Sequence, residues 1–272
     1  MVHFHGRFAW YELMTTDVEA AKAFYTKVMD WGTLDASVSG RAYILFTAGK
    51  ALVSGLMDLP EDARNTGGKP SWVGYVGVND VDVTADRIKR LGGAVHVPPT
   101  DVPNISRFSI FADPQTARLG LLKWLKPRQD QPAELAPGRV GWHELLATDW
   151  EKALAFYREL FGWQKADAHI GEMSTYQLFS AGGQTIGGMF TKRPMSPAPF
   201  WLYYFNIGDI DAATQRVKAG GGQILDDPLE VPGGSWIVQC MDPQGAMFAL
   251  EGKRRHDSIG YFKDAQGLRW SW

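Results

Sequence analysis

Two glutamates, Glu12 and Glu144, are the residues of this sequence best suited to chemistry, because each follows a tryptophan by two positions in a short β-rich segment. Side chains two residues apart on a strand share a face, so Trp10 lies beside Glu12 and Trp142 beside Glu144. A carboxylate among aromatic rings is poorly solvated, which raises its pKa and suits it to act as a general base or as an acid that polarises a carbonyl. The alternative is a buried glutamate that hydrogen-bonds a partner across the sheet and serves only the fold.

The composition excludes several classes of protein. The chain has 272 residues, of which 45% are hydrophobic and 21% charged, and its formal net charge is −2. It contains no apolar run of the roughly 18 residues that span a bilayer, no signal-peptide core, and no basic cluster for nucleic acid. A single cysteine, Cys240, rules out an intrachain disulfide and a cysteine-based zinc site. We therefore expect a cytoplasmic monomer or homodimer that binds a small molecule, without nucleic-acid or membrane partners.

The chain is an internal duplication. Residues 6–31 and 138–163 are identical at 13 of 26 positions, at an offset of 132. Farther along, residues 43–49 match residues 176–182 at an offset of 133. A period near 130 indicates two complete domains and not a solenoid of short repeats.

A segment with three prolines and no apolar period separates the two copies. The expected divisions are a first domain at 6–126, a linker at 127–137, a second domain at 138–253 and a tail at 254–272. The tail has no counterpart in the first copy and ends in two tryptophans, which we expect to dock on the body of the protein or on a partner.

Each copy predicts an α+β domain in which a strand, a helix and three strands occur twice in succession. Thr16 and Thr148 are each followed three residues later by glutamate, the spacing of a capping box at a helix start. A second helix begins near Asp80 in one copy and near Asp209 in the other, and ends at a run of glycines. An Asp-Pro-Gln turn then separates the last two strands of each copy.

This order of motifs resembles the vicinal oxygen chelate superfamily, which includes glyoxalase I, bleomycin- and fosfomycin-resistance proteins and extradiol dioxygenases. The motifs that carry the resemblance are Thr16-Asp17, Phe24-Tyr25, Trp31 and Asp113-Pro114-Gln115, repeated as Thr148-Asp149, Phe156-Tyr157, Gly162-Trp163 and Asp242-Pro243-Gln244. The resemblance covers nearly all of the chain except the linker and the tail. It implies two tandem domains packed about a pseudo-twofold axis, each with paired βαβββ modules forming a cup-shaped sheet with its helices outside.

The resemblance also implies a divalent metal in the cup, held by His, Glu or Gln of the first and last strands of the modules. Only Glu251, in the last strand of the second copy, keeps a side chain of that kind. The other ligand positions carry apolar or indole side chains, namely Trp10, Trp142, Val73, Leu202 and Leu122. Because a divalent ion wants about three protein ligands, we expect the usual metal site to be largely lost, with a metal at Glu251 as the remaining option.

Aromatic side chains are expected to line both cups. The candidate ligand-binding residues are Trp10, Met57 and Tyr75 in the first copy and Trp142, Met189 and Tyr204 in the second. Such a lining suits a flat or aromatic ligand held by stacking and a few polar contacts. The alternative is that these aromatics fill the cups as hydrophobic core.

Three hypotheses about function follow. The first is a lyase or isomerase that acts on a small carbonyl or aromatic compound with Glu12 or Glu144 as base. The second is a protein that sequesters such a compound without turnover, as resistance proteins of the superfamily do. The third is a metal-dependent lyase or dioxygenase with Glu12, Glu144 and Glu251 as shifted ligands. We expect the second copy to hold the active site, since it keeps Glu251, and we expect His143 to point towards the helices as a core residue.

Overall fold

The computed structural model describes residues 5–37, 42–126, 136–170, 175–192 and 198–254. Its helices are α1 (Val18–Met29), α2 (Glu61–Asn65), α3 (Val81–Arg90), α4 (Trp150–Phe161) and α5 (Ile210–Ala219). The strands of the first copy are β1 (Phe8–Thr15), β2 (Gly32–Asp35), β3 (Tyr43–Ala48), β4 (Ala51–Asp58), β5 (Ser71–Gly77), β6 (Ala94–Val102), β7 (Ser106–Ala112) and β8 (Arg118–Trp124). Those of the second are β9 (Val140–Ala147), β10 (Gln164–Ile170), β11 (Thr175–Ala181), β12 (Gln184–Thr191), β13 (Phe200–Asp209), β14 (Gln223–Ile224), β15 (Leu229–Val231), β16 (Ser235–Met241) and β17 (Met247–Lys253).

Each copy forms one sheet from its own two modules, as the sequence predicted. The strand order is β2-β3-β4-β1-β5-β8-β7-β6 in the first sheet and β10-β11-β12-β9-β13-β17-β16-β14 in the second, where β15 also pairs with β16. The first strand of each copy lies in the middle, parallel to the fourth strand of its own module and antiparallel to the first strand of the next. The fold is therefore two tandem cup-shaped α+β domains, and the candidate glutamates lie on the central strand of each cup.

Alternation along the central strands sorts their side chains onto two faces. Leu13 and Leu145 are fully buried in one core, which is shared by both domains and includes buried helix residues. Trp10 and Met14 point the other way, into a separate apolar cluster of the first sheet. Glu12 lies between them on that second face. The helices pack on the face opposite the cup, as the resemblance implied.

The helix starts differ by one residue from the capping box that the sequence suggested. The caps are Asp17 and Asp149, whose carboxylates accept hydrogen bonds from the backbone N–H groups of Ala20 (2.9 Å) and Lys152 (3.1 Å). Thr16 and Thr148 are therefore not the caps, because the aspartate side chain that follows each of them reaches the third N–H of the helix first. The short helix α2, which no periodic pattern indicated, follows Pro60 on the connection between the two modules.

The repeated motifs of the two copies bond to each other across the domain junction. Tyr25 on α1 donates to Asp242 at 3.0 Å, and its counterpart Tyr157 on α4 donates to Asp113 at 2.9 Å. The tryptophans that follow these helices donate in the same crosswise manner: Trp31 to the Gly138 carbonyl at 2.9 Å and Trp163 to the Gly6 carbonyl at 2.5 Å. The motifs that define the repeat are thus the residues that hold the two domains together.

His143 also lies at this junction, in the shared core, and not merely against the helices of its own domain. Its Nε2 lies 2.6 Å from the hydroxyl of Tyr11, which occupies the equivalent position in the first copy, and its Nδ1 lies 2.6 Å from the Ile186 carbonyl. The ring of Phe8 stacks on the imidazole at a centroid distance of 3.8 Å. A neutral imidazole that donates through Nδ1 and accepts through Nε2 satisfies both contacts.

This buried imidazole makes stability depend on pH. Burial lowers the pKa of His143 from 6.5 to about 4. Between these values the unfolded chain binds a proton at this histidine and the folded chain does not, so the contribution of His143 to the free energy of unfolding falls by about 3 kcal/mol as pH drops from 6.5 to 4. Urea unfolding at pH 7.5 and pH 4.5 should show a smaller loss for His143→Gln, whose amide can make both hydrogen bonds without titrating. Equal losses for the two proteins would contradict this assignment.

Candidate functional site

Each sheet has a concave face with its own apolar lining, which we call cup 1 in the first domain and cup 2 in the second. Cup 1 is lined by Trp10, Met14, Leu45, Met57, Val73, Tyr75, Phe108, Ile110, Leu122 and Trp124. Cup 2 is lined by Trp142, Leu146, Phe200, Leu202, Tyr204, Ile237, Met247 and Ala249. Both linings include partly exposed side chains, so each cup has a surface that a small molecule can reach.

The floor of cup 1 is a hydrogen-bonded network that ends on Glu12. Tyr43 donates to one carboxylate oxygen at 2.6 Å, and Tyr75 donates to the other at 2.6 Å. The indole N–H of Trp10 donates to the Tyr43 hydroxyl at 3.3 Å. Strand register explains the arrangement: β1 brings Glu12 opposite Gly55 of β4 on one side and Val73 of β5 on the other. The carboxylate therefore receives one phenol from each neighbouring half of the sheet.

Cup 2 repeats this network with equivalent residues. Glu144 accepts hydrogen bonds from Tyr176 at 2.9 Å and from Tyr204 at 3.0 Å. Trp142 donates to the Tyr176 hydroxyl at 2.9 Å, and Gln239 donates to the Tyr204 hydroxyl at 3.3 Å. The order Trp to Tyr to Glu, with a second Tyr on the other oxygen, is therefore the common feature of both cups.

Burial and hydrogen bonding act in opposite directions on the two carboxyl groups, and burial prevails. Burial raises the pKa of Glu12 against the hydrogen bonds from Tyr43, Tyr75 and Trp10, and raises the pKa of Glu144 in the same way. Burial and the charge of the neighbouring glutamate raise the pKa of all four tyrosines, so the phenols remain protonated donors. Each floor thus combines a carboxyl group with raised proton affinity and two O–H donors, the groups needed to accept a proton and stabilise a developing oxyanion.

Two glycines make room for the tyrosines that the sequence reading did not include among its site residues. A Cβ at Gly55 would collide with the Tyr43 hydroxyl and lie 3.1 Å from Cγ of Glu12. A Cβ at Gly188 would collide with the Tyr176 ring. Each tyrosine reaches across the backbone of the adjacent strand because the glycine there has no side chain.

This packing predicts the effect of a single methyl group. Gly55→Ala should displace Tyr43 from Glu12 and lower the free energy of unfolding by about 1–3 kcal/mol, the usual cost of overpacking. Chemical unfolding followed by fluorescence measures this loss. Gly208→Ala is the matched control, since a Cβ there meets nothing within 4 Å. A loss no larger than that of the control would mean that Tyr43 moves without cost.

The two methionines named as ligand-binding candidates lie on different faces. Met57 lies in cup 1, on the same face as Met14 of the neighbouring strand. Met189 is fully buried in the shared core, because it pairs with Leu145 and not with a cup residue. Phe190, one position later, is the true counterpart of Met57 and packs near Tyr176 at a centroid distance of 6.0 Å. The expectation for Met189 was therefore wrong by one residue, which on a strand exchanges the faces.

The donor set of cup 1 does not fit a divalent ion. The side chains at the implied ligand positions of cup 1 are indole, valine and leucine, none of which can bind a metal. In cup 2 the register of β17 places Glu251 on the cup face, two residues beyond Ala249, with Glu144 as the other carboxylate. Across the described residues, no three His, Cys, Asp or Glu side chains come together as a metal site would require. The shifted set with Glu12 is not assembled, because Glu12 belongs to the other sheet.

The signal for Tyr43 and Tyr176 was present in the sequence. Both begin the matching segments 43–49 and 176–182, so the duplication itself marks them as equivalent. Their role depends on the pairing of the third and fourth strands: Tyr43 pairs with Met57 and its hydroxyl lies over Gly55, two residues away, and the ring of Tyr176 lies over Gly188 in the same way. The two tryptophans of the tail, which the sequence predicted to dock on the protein or on a partner, lie outside the described residues. In the described part, no helix has the length and apolar character needed to cross a membrane.

Comparison with known proteins gives consistent matches along both copies. A family model described as the Glyoxalase/Bleomycin resistance protein/Dioxygenase superfamily matches residues 7–120 and 139–250. A Mycobacterium tuberculosis protein named "Putative glyoxylase CFP32" is 34% identical over 245 residues, which cover 89% of this chain and 92% of that protein. The "Anthracycline biosynthesis protein DauV" of Streptomyces sp. strain C5 is 30% identical over 268 residues, covering 90% of this chain and 92% of that protein.

Solved structures extend the similarity to the fold. The Mn(II)-bound glyoxalase from Novosphingobium aromaticivorans superposes with a TM-score of 0.64 at 16% identity, covering 92% of this chain and 82% of that structure. The 2,3-dioxygenase LapB from Pseudomonas sp. KL28 superposes with a TM-score of 0.62 at 12% identity, covering 99% of this chain and 98% of that structure. At these identities the likeness concerns the fold alone.

Proposed function

The chain belongs to the Glyoxalase/Bleomycin resistance protein/Dioxygenase superfamily, and from that premise we propose that its cups bind a small aromatic or carbonyl compound and that Glu12 or Glu144 removes a proton from it. The reaction class is that of a lyase or an isomerase, without a protein-bound metal as a reactant. One observation carries the proposal, namely the network of Trp, Tyr, Glu and Tyr that is built twice at the cup floors.

The carboxyl group has the properties of a general base. Its raised pKa increases its affinity for a proton, while the hydrogen bonds from the two phenols act in the opposite direction and favour the ionised form. When a glutamate takes a proton from a C–H bond next to a carbonyl, the electron pair moves to the carbonyl oxygen and forms an enolate. The same proton transfer neutralises the carboxylate, so Tyr43 in cup 1 or Tyr176 in cup 2 can turn its O–H towards that oxygen.

The surrounding side chains favour a planar ligand. In cup 2 the indole ring of Trp142 is partly exposed and its N–H is already engaged by Tyr176, so the ring face is the surface left for stacking. In cup 1 Trp10 is buried against Trp124, and the partly exposed ring of Trp124 borders the cup. The name of the relative DauV refers to anthracycline biosynthesis, and anthracyclines are planar polycyclic compounds with carbonyl groups. A ligand of this general class would satisfy both the aromatic walls and the polar floor.

Sequestration without turnover is the second candidate, and the same network supports it. Both oxygens of Glu12 and of Glu144 already accept a phenol hydrogen bond, so the floor could serve as a rigid polar surface under a bound ligand. Under this hypothesis the protein binds the compound and does not change it.

A single experiment distinguishes the two candidates. The protein is incubated in D₂O with soluble aromatic ketones such as 1-indanone and 2-tetralone, while tryptophan fluorescence measures binding and proton NMR follows exchange of the hydrogens next to the carbonyl. Binding with accelerated exchange is the expected result. Binding without exchange would favour sequestration, and absence of both would refute the proposal. Trp10→Phe/Trp124→Phe and Trp142→Phe identify which cup is used, since cup 1 contains Trp10 and Trp124 and cup 2 contains Trp142.

A further inference from the structure

The two cups have equivalent floors, but they differ in the wall that is formed by the last two strands of each domain. In cup 1 this wall consists of Ile110, Leu122 and Trp124, and the equivalent positions of cup 2, at an offset of 129, are Gln239, Glu251 and Lys253. Strand register confirms the equivalence, because Ile110 pairs with Gly120 as Gln239 pairs with Ala249. Three apolar positions of one cup are thus polar or charged in the other.

The wall of cup 1 is closed to hydrogen bonding by its packing. Ile110 and Leu122 are 9% and 4% exposed, and Trp124 packs edge-on against Trp10 at a centroid distance of 5.9 Å. A hydroxyl or amine of a ligand placed against Leu122 would lose its hydrogen bonds to water without finding an acceptor there.

The wall of cup 2 carries polar side chains next to the polar floor. Gln239 donates to the Tyr204 hydroxyl, which in turn donates to Glu144, so the amide extends the network by one member. Glu251 lies partly exposed on the neighbouring strand, opposite Ile237. Glu251 lies two residues beyond Ala249, which pairs with Tyr204, so the register places it on the face that carries this network. Burial and the charge of Glu144, and to a smaller extent the charge of Glu251, raise the pKa of Tyr204.

Resting on the proposed function, we propose that the two cups take different ligands: cup 2 selects a planar compound that carries a hydroxyl or amine donor directed at Glu251, whereas cup 1 selects a planar compound whose corresponding edge is apolar. The duplication thereby provides two sites that have equivalent floors and different ligand specificities. A ligand whose buried O–H or N–H donor finds an acceptor should bind about tenfold more tightly than one whose donor is left without an acceptor.

Two probes of nearly the same shape test this difference. They are 1-naphthol, which carries an O–H donor, and 1-methylnaphthalene, which replaces it with a methyl group. The full chain is labelled with 5-fluorotryptophan, and the ¹⁹F signals of Trp10 and Trp142 are assigned with Trp10→Phe and Trp142→Phe. Titration of each signal gives the affinity of each probe for each cup separately.

We expect cup 2 to bind 1-naphthol about tenfold more tightly than 1-methylnaphthalene, and cup 1 to show no such preference or the reverse. Gln239→Ile/Glu251→Leu, which gives cup 2 the residues of cup 1, should abolish the preference at Trp142 and leave the affinities at Trp10 unchanged. Thermal unfolding verifies that this variant is folded, and Glu251→Leu alone provides a milder change.

The outcomes separate the two proposals. Equal preferences in the two cups, or a preference at Trp142 that survives the exchange of residues, would overturn the assignment of specificity and leave the proposed function standing. Failure of both probes to bind at either tryptophan would also overturn the assignment of specificity, whereas the proposed function is tested separately by the exchange experiment with the aromatic ketones.

Discussion

Asp113→Ala combined with Asp242→Ala should leave the chain without a cooperatively folded state at 25 °C. Each aspartate is at most 3% exposed and serves as acceptor for three donors. Asp113 accepts from the backbone N–H groups of Gln115 (2.8 Å) and Ala117 (2.9 Å) and from the hydroxyl of Tyr157 in the other domain (2.9 Å). Asp242 makes the same three contacts in the second copy, with Tyr25 as the phenol.

The expected loss follows from the donors that remain. A buried donor left without an acceptor costs about 1–3 kcal/mol, so removal of one aspartate should cost about 3–5 kcal/mol. The two sites share no hydrogen-bond partner, so their effects should add to about 6–10 kcal/mol. This approaches or exceeds the whole stability of a typical protein, about 5–15 kcal/mol.

Urea unfolding monitored by tryptophan fluorescence and far-ultraviolet circular dichroism measures these losses. Asp86→Ala is the matched control, because this exposed aspartate pairs with Lys89 on its own helix. Asp113→Asn should be intermediate, since the amide oxygen still accepts the backbone N–H groups. If the double alanine variant lost no more than about 2 kcal/mol, the crosswise contacts would not be what stabilises the junction.

These contacts also explain how far the sequence could be read. The helix starts, the aromatic pair on each first helix and the Asp-Pro-Gln turns predicted the elements and their order, because each acts locally through caps, periodicity or turn chemistry. The bond from Tyr25 to Asp242 spans 217 residues and joins different domains, so no local pattern could indicate it. The family motifs therefore specify the pairing of the domains far better than they specify a reaction.

The candidate site was predictable only where strand alternation applies. Strand alternation correctly predicted that Trp10 and Glu12 lie on the same face, since the period of a strand is two residues. It failed for Met189, where the alignment of the fourth strands was taken one residue too early. It could not pair Tyr43 with Glu12, because that contact depends on which strands are neighbours in the sheet.

Replacement of both candidate bases by Glu12→Gln/Glu144→Gln should reduce proton exchange from a bound aromatic ketone by a factor of about 10²–10⁴, the usual contribution of a general base. A glutamine retains the side-chain length and one oxygen acceptor for a tyrosine, so the cup should keep its shape and its affinity for the ligand within a few fold. The amide cannot take up a proton at neutral pH, and the reaction therefore loses its base while binding persists.

The pH dependence identifies the carboxyl group as the base and not merely as a packing residue. Burial raises the pKa of Glu12 and of Glu144 above the ordinary value of 4.5, so the ionised base accumulates only as pH rises through the raised value. The exchange rate of the wild-type protein should increase over that interval and then level off, whereas the residual rate of the double variant should lack this step. Tyr176→Phe removes a hydrogen bond that lowers the pKa of Glu144, and should move the step contributed by cup 2 to higher pH. A step that stays in place in Tyr176→Phe, or that persists in the double variant, would assign the base to another group, because only a carboxylate held by these phenols responds to both changes.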